Sequence, residues 1–286
     1  MSLDSALALI ESVKGDDVLF IGDSIVDEYH YVKPLGKSPK EHLIPLAWQS
    51  KEVFAGGTHA AASHAKSFCK SVKVCTPGPI TTKVRFIDQT YNRKLAEVHY
   101  AKEGCADYYS FQHDSIVVTD FGHGAITDDD IASLCARAPY LAVNAQTNSA
   151  NAGFNLITKY RRADYVVIDE PEARLAAQDR DSSIETVMVK LAQGRYRKLI
   201  VTLGCNGAIG YDGEHGFIRS GALSDTVIDT MGAGDAFFAV TAPMHKGSME
   251  DLLLIGNAAG ALKTKIMGHR SSVTKDELVS FLKALR

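Results

Sequence analysis

The sequence has no CxxC pair: its five cysteines, Cys69, Cys75, Cys105, Cys135 and Cys205, are odd in number and scattered. A disulfide framework or a zinc knuckle needs closer pairs, so reduced thiols are the expectation. No apolar run approaches the ~20 residues that span a bilayer. The first residues, MSLDSALALIESVKGDDVLF, lack a basic leader and mix acids with apolar positions, which is the pattern of an amphipathic helix rather than a signal peptide. Basic charge is not in excess: 31 Lys and Arg against 34 Asp and Glu leave a formal charge of −3, which argues against a nucleic-acid binder that neutralises phosphates. Apolar residues are not scarce either; at 45% they exclude a disordered acidic chain, and 286 residues can bury a sizeable core. No GxxxxGK followed by Ser or Thr occurs, so P-loop chemistry is excluded by motif. The expectation is a soluble, cytoplasmic protein with neither membrane nor nucleic-acid partners.

What is present is a rhythm of short β-branched runs, each followed by a helical pattern. Strands are expected at 18–21, 72–76, 115–121, 140–145, 165–169 and 198–203, with helices at 58–70, 128–137, 150–160, 170–178 and 183–193. After Leu223 the pattern turns helical, at 233–246, 249–267 and 274–285. Apolar strands alternating with helices indicate βαβ units and a parallel sheet covered on both faces. One section departs from the rhythm: 81–100, TTKVRFIDQTYNRKLAEVHY, reads as an antiparallel hairpin turning at Asn92-Arg93, either an edge hairpin or a lid over a site. Residues 1–286 therefore read as one domain with a small inserted element.

The segment that carries chemistry is Asp229-Thr230-Met231-Gly232-Ala233-Gly234-Asp235, DTMGAGD, followed by the apolar helical run AFFAV. Two glycines flanking an alanine let the backbone turn tightly and aim successive N–H groups at one point, here a helix N-terminus that favours anions. A carboxylate in the first turn of that helix, Asp235, can take a proton from an attacking hydroxyl while the N–H groups of Gly232, Ala233 and Gly234 stabilise transferring phosphoryl charge. The bland alternative is an ordinary helix cap.

DTxGAGD is a signature of the ribokinase-like, or PfkB, carbohydrate kinases, and this chain resembles them over nearly its whole length. The resemblance implies a three-layer α/β/α sandwich with a mostly parallel sheet and a small β lid. It implies ATP-dependent transfer of a phosphoryl group to a sugar or sugar-phosphate hydroxyl with Mg²⁺, and it leaves a monovalent cation open. Val201-Thr202-Leu203-Gly204 with Gly207 resembles the family's nucleotide-binding strand and turn, so Thr202, Gly204 and Gly207 are candidate nucleotide contacts, as are Asn257 and Gly268 near the adenine. Glu172 matches the Glu of the family's NxxE motif, which organises Mg²⁺ through water; Asp169 stands where that motif has Asn. The closer likeness, in Gly22-Asp23, Lys37-Ser38-Pro39, Gly56-Gly57, Lys83 with Arg85, and Asp120-x-Gly122-x-Gly124, is to the kinase domain of bifunctional heptose 7-phosphate kinase/nucleotidyltransferase proteins.

The acceptor side follows from residue chemistry as well. Asp23 and Asp27 lie beyond a strand's C-terminal end, where α/β ligands gather, and carboxylates accept hydrogen bonds from polyols. Gly56 and Gly57 allow close backbone approach. Lys83 and Arg85, two apart on a strand, share a face and suit a substrate phosphate, with Lys37 a lesser candidate. Asp120 ends an apolar strand and is a candidate substrate contact. Solvated turns, or edge-strand lysines that discourage aggregation, are the competing accounts. His59 and His64, five apart, lack the HxxxH spacing that shares a helix face, so a zinc pair is rejected.

Two departures bear on specificity: Ala60 stands where the family carries an Asn that reaches the sugar, and His123 where heptose kinases tend to carry Lys. A nucleoside or vitamin-precursor kinase of the same fold, and a non-catalytic nucleotide- or sugar-binding module, stay open. The lid suggests a homodimer, and a nucleotidyltransferase partner domain would lie outside this chain.

Overall fold

The computed structural model describes residues 3–104, 109–224 and 226–285; Cys105 lies outside them. Six parallel strands form the centre of the main sheet: β1 (Asp17–Gly22), β4 (Ser71–Cys75), β7 (Ser115–Asp120), β8 (Leu141–Ala145), β9 (Ala163–Asp169) and β10 (Tyr196–Thr202). Antiparallel β11 (Ala208–Asp212) and β12 (Gly216–Ser220) extend one edge, giving the order β12-β11-β10-β9-β8-β7-β1-β4. Because side chains alternate across a strand, both faces of each central strand must be apolar. Val18, Phe20 and Val117 point to one face and pack with α1 (Leu3–Ser12), α2 (Gly57–Ala65), α6 (Ala233–Thr241), α7 (Met249–Lys263) and α8 (Lys275–Ala284). Leu19, Ile21, Ile116 and Val118 point to the other and pack with α3 (Asp128–Arg137), α4 (Glu170–Ala177) and α5 (Ile184–Ala192). The result is the ribokinase-like three-layer sandwich.

The inserted element is larger than a hairpin. β5 (Ile80–Asp88) and β6 (Arg93–Lys102) form the expected hairpin, but they join β2 (Ser24–Pro34) and β3 (Leu46–Gly56) in a four-stranded sheet ordered β3-β2-β5-β6. β2 and β3 were not legible because the buried face of β2 carries Asp27 and Tyr29 beside Ile25, so no purely apolar alternation marks it. A second correction concerns 150–160, where the expected helix is replaced by turns and a single 3₁₀ turn, Ile157–Lys159. Asparagine side chains there bond the backbone instead. Asn148 Oδ1 accepts from the amides of Ala150 and Asn151, and Asn151 Oδ1 from those of Asn148 and Gly153. Such local bonds compete directly with a helix.

His64, on the buried face of α2, ties that helix to the segment before α8: its Nδ1 accepts the Val273 amide at 2.9 Å. Burial first, then the nearby Lys263 and His269 charges, push its pKa down to about 3, so the folded protein holds it neutral. The unfolded chain gains a proton near the ordinary His pKa, so this contribution is complete above about 6.5 and is lost as pH falls toward 3. Between neutral pH and about pH 4.5 the wild type should lose roughly 3 kcal/mol more than His64→Asn, which keeps an acceptor but cannot titrate. Urea unfolding at the two pH values measures this; equal losses would contradict it.

Candidate active site

The DTMGAGD segment forms the turn into α6, with Gly232 as N-cap at φ 75°, a left-handed conformation that explains glycine there. The turn is pinned before the helix begins. Ile228 and Asp229 donate their amides to Thr264 O at the end of α7, at 2.8 and 3.1 Å. Asp229 accepts from Met231 N and Gly268 N at 3.0 and 2.9 Å. Burial raises the Asp229 pKa, but those two amides, with the Lys94 and Lys263 charges, outweigh it and hold the carboxyl below its ordinary value. Of the three amides expected to form the anion hole, that of Ala233 is spent on Thr230 O at 3.3 Å. Those of Gly232, Gly234 and Asp235 have no acceptor among the described residues.

Asp235 enters the first turn of α6, and its Oδ1 accepts from Gln146 Nε2 at 2.5 Å. Gln146 lies just beyond β8 and also bonds Asn144 Oδ1 at 2.8 Å, which fixes the amide's direction. Burial pushes the Asp235 pKa up, opposed by the Gln146 bond and the charges of His269, Lys263 and Lys83. A carboxyl so held is more basic than an exposed one, which suits a group that accepts a hydroxyl proton.

One side of this turn opens on a cavity of about 600 Å³ lined by Thr202, Gly204, Gly207, Asn257, Ala233 and Gly234 together with apolar Leu223, Val227 and Phe237. Apolar walls with a few polar groups are the usual form of a small-molecule site. Asn257 closes its floor by donating to Ser220 O and Gly221 O at 3.3 and 3.1 Å. Gly268, expected beside these residues, lies instead against the ring of Tyr29 from the lid, on the opposite side of the turn. A larger cleft of about 760 Å³ lies at the other end of the parallel strands, around Arg162, Arg195 and Lys246, away from the turn.

Asp169 also lines the first cavity and caps α4 reciprocally with Glu172: Glu172 N donates to Asp169 Oδ1 at 2.7 Å and Asp169 N to Glu172 Oε2 at 2.9 Å. Thr147 N donates to Glu172 Oε1 at 2.9 Å. Burial, then the Asp169 charge, push the Glu172 pKa up to about 8, with Asp235 adding to the rise. The buried Glu172, with the Asp169 and Asp235 charges both acting on it, fits a divalent cation held through water. No group of three His, Cys, Asp or Glu that could chelate a metal directly occurs among the described residues.

The acceptor side lies between the lid and the turn. Asp27 pairs with Arg85 and, at 3.3 Å, with His269 Nε2. Gly56 is close to this pair, since a Cβ there would overlap Asp27 Oδ2, and Gly57 begins α2 beside it. Tyr29 Oη reaches Met231 Sδ at 3.3 Å, so the lid touches the DTMGAGD turn.

Three of the expected acceptor-side residues already have protein partners. Asp23 accepts from Phe121 N at 2.7 Å and from His123 N and Ala125 N at 3.1 Å each. Asp120 accepts from Tyr160 Oη and Lys159 Nζ at 2.6 Å each, from Asn155 Nδ2 at 3.0 Å and from Gly122 N at 3.1 Å. Both acids brace the 120–125 loop. Arg85 is already neutralised by Asp27 and by Glu97 at 2.5 Å. Lys83, nine-tenths buried, makes no hydrogen bond or ion pair among the described residues, and His123 Nε2, whose ring is within its field, is buried without a partner. Lys37 lies on the exposed 35–45 loop, and His59 is exposed on α2. Gln146, His269 and Lys263 were not singled out from sequence. Gln146 carried one signal, its place at the C-terminal end of an apolar strand.

The sequence profile described as pfkB family carbohydrate kinase matches residues 130–276. Probable fructokinase-6, chloroplastic, of Arabidopsis thaliana is 28% identical over 158 residues, 51% of this chain and 41% of that protein. Bifunctional protein HldE of Rhodopseudomonas palustris (strain BisB5) is 23% identical over 288 residues, 82% of this chain and 56% of that protein. The chain thus spans only about half the length of these relatives. Among solved structures, Arabidopsis thaliana ribokinase complexed with ribose and ATP superposes with a TM-score of 0.68 at 14% identity, covering 94% of this chain and 99% of that one.

Proposed function

Because the chain belongs to the pfkB family of carbohydrate kinases, we propose that it transfers the γ-phosphoryl group of ATP to a hydroxyl of a phosphorylated sugar, with Asp235 taking the proton. The observation that carries this reading is the position of Asp235: one helix start presents its carboxylate and unspent amides, lines the 600 Å³ cavity, and touches the lid where Tyr29 meets Met231. Thr202, Gly204, Gly207 and Asn257 would hold the nucleotide, as the ribokinase solved with ATP leads one to expect. Glu172, with Asp169 nearby, would hold Mg²⁺ through water, and the ion would lower the charge on the phosphates of the ATP that supplies the phosphoryl group. The amides of Gly234 and Asp235 face the transferring group, Gln146 keeps the Asp235 carboxylate aimed, and the lid strands exclude water.

A phosphorylated acceptor is favoured by Lys83, a buried cation without a partner among the described residues, beside His123 Nε2, which has none among them either. The heptose-phosphate-like choice rests further on the resemblance through Gly22-Asp23, Lys37-Ser38-Pro39 and the Asp120 loop. Lys83→Met should raise KM for a phosphorylated acceptor about 10- to 100-fold, the worth of one charge-assisted bond, without changing KM for ATP. Initial rates over paired free and phosphorylated sugars test this; equal KM values in variant and wild type would overturn the phosphate role. Arg85 keeps its structural pairing in this scheme.

The lid strands expose Trp48, Val53 and Val98, and the adjoining 35–45 loop exposes Ile44, an apolar surface of the kind that covers itself in a dimer. A homodimer through the lid follows from the proposal, and a one-chain mass by light scattering at micromolar concentration would contradict it.

A further inference from the structure

Lys263 ends α7 with no accessible surface, yet no carboxylate is within ion-pair distance of it among the described residues. Its ammonium donates to three backbone carbonyls instead: Met231 O and Gly268 O at 2.8 Å and Ile266 O at 3.3 Å. Three donors meet three acceptors, so the group is fully satisfied without a counter-ion. The carbonyls come from two segments, the DTMGAGD turn and the 266–268 loop beyond α7. Asp229 joins the same two segments through Met231 N and Gly268 N. The Nζ position is therefore ringed by carbonyl oxygens with carboxylates behind them, Asp229 and Asp235 both lying within its field.

Convergent carbonyls around a desolvated positive charge are what a bare monovalent cation takes, and ammonium and potassium are of similar size. We infer that Lys263 is a tethered monovalent cation: its ammonium fills this carbonyl cage, locks the turn so that the Gly234 and Asp235 amides face the transferring phosphoryl group, and makes the reaction independent of added potassium. A free monovalent cation does not fit there, because the lysine already holds the carbonyls. The positive charge also lies beneath the N-terminus of α6 and adds to the field that the helix turns toward an anion. Lys263 touches neither substrate nor reacting atoms, so it is a positioning residue. The inference rests on the kinase reading for its effect on rate.

The test compares wild type, Lys263→Ala and Lys263→Met in potassium, ammonium and choline chloride at equal ionic strength. The wild-type rate should be the same in all three salts. Lys263→Ala should lose about 100-fold in kcat in choline, the loss seen when anion-hole donors are misplaced, and recover at least tenfold of it in potassium or ammonium. Lys263→Met, whose side chain fills the space without charge, should be equally slow and not recover. Thermal unfolding gives a readout free of turnover: potassium over choline should raise the Tm of the alanine variant and leave the wild type unmoved.

Stimulation of the wild type by potassium would overturn the inference, as would full activity of Lys263→Ala in choline or of Lys263→Met in any salt. If the wild type phosphorylates nothing, the kinase reading fails, and the salt-dependent Tm still decides the cage. If neither variant folds, the salt response of the wild type decides alone.

Discussion

Asp235→Asn should lower kcat by about 10³-fold while ATP still binds. General-base assistance contributes about 10²–10⁴ to such a step, and the substitution keeps the size of the side chain while removing its basicity. The amides of Gly234 and Asp235 belong to the backbone and survive, so the nucleotide side of the turn is unchanged. The loss should therefore fall on kcat, with little change in the ATP dissociation constant. Gln146 strengthens the expectation, because its 2.5 Å bond to Oδ1 keeps the wild-type carboxyl aimed. Initial rates together with calorimetric ATP titration make the comparison. An Asp235→Asn enzyme within tenfold of wild type would remove Asp235 from the chemistry.

Arg85→Met should cost about 3–5 kcal/mol of stability, the usual penalty for stripping one partner from a buried ion pair. Asp27 is 3% exposed and would be left with His269 alone at 3.3 Å, too little to replace a guanidinium. Burial raises the Asp27 pKa, while His269 and Arg85 more than offset it and hold the carboxyl below its ordinary value. In the wild type, then, this contribution is present at neutral pH and is lost only as pH falls through and below the usual carboxylate range. In Arg85→Met the sign of this contribution reverses: the carboxyl is buried with weaker compensation, so mild acid should narrow the variant's deficit relative to wild type at the same pH. Lys83→Met, two residues along the same strand, breaks no pair and should leave the urea midpoint unchanged. Urea unfolding of both variants at two pH values separates these outcomes. Similar losses in the two would show that Arg85 is no more tied into the lid than Lys83.

The contrast between those two residues marks where sequence reading stops. From spacing alone, Lys83 and Arg85 are equivalent cations on one face of one strand. Only the fold brings Asp27 and Glu97 to Arg85 and leaves Lys83 without a partner among the described residues. Asp23 and Asp120 show the same limit from the acidic side. Acids at the C-terminal ends of strands suggest ligand contacts, but the amides that engage Asp23 come from residues 121–125, about a hundred positions away. The central strands were legible because burial on both faces writes near-continuous apolar runs, as in Ser115–Asp120, where every residue is buried. Strand β2 was not, because its inward positions include an ionised acid and a tyrosine. The DTMGAGD turn was legible because glycine, helix start and acid are all local. Its supports were not: Lys263 sits in a helix that reads as apolar, and Gln146 and His269 reach the site from separate loops.

The most direct test of the central claim is Mg²⁺-ATP-dependent phosphoryl transfer by the wild-type chain across sugars, hexose and heptose phosphates, and nucleosides, with the phosphorylated product identified by ³¹P NMR. The expected result is turnover of a phosphorylated sugar, with one new phosphate ester on the acceptor for each ADP formed. Turnover confined to nucleosides, or an absence of both ATP binding and transfer, would contradict it.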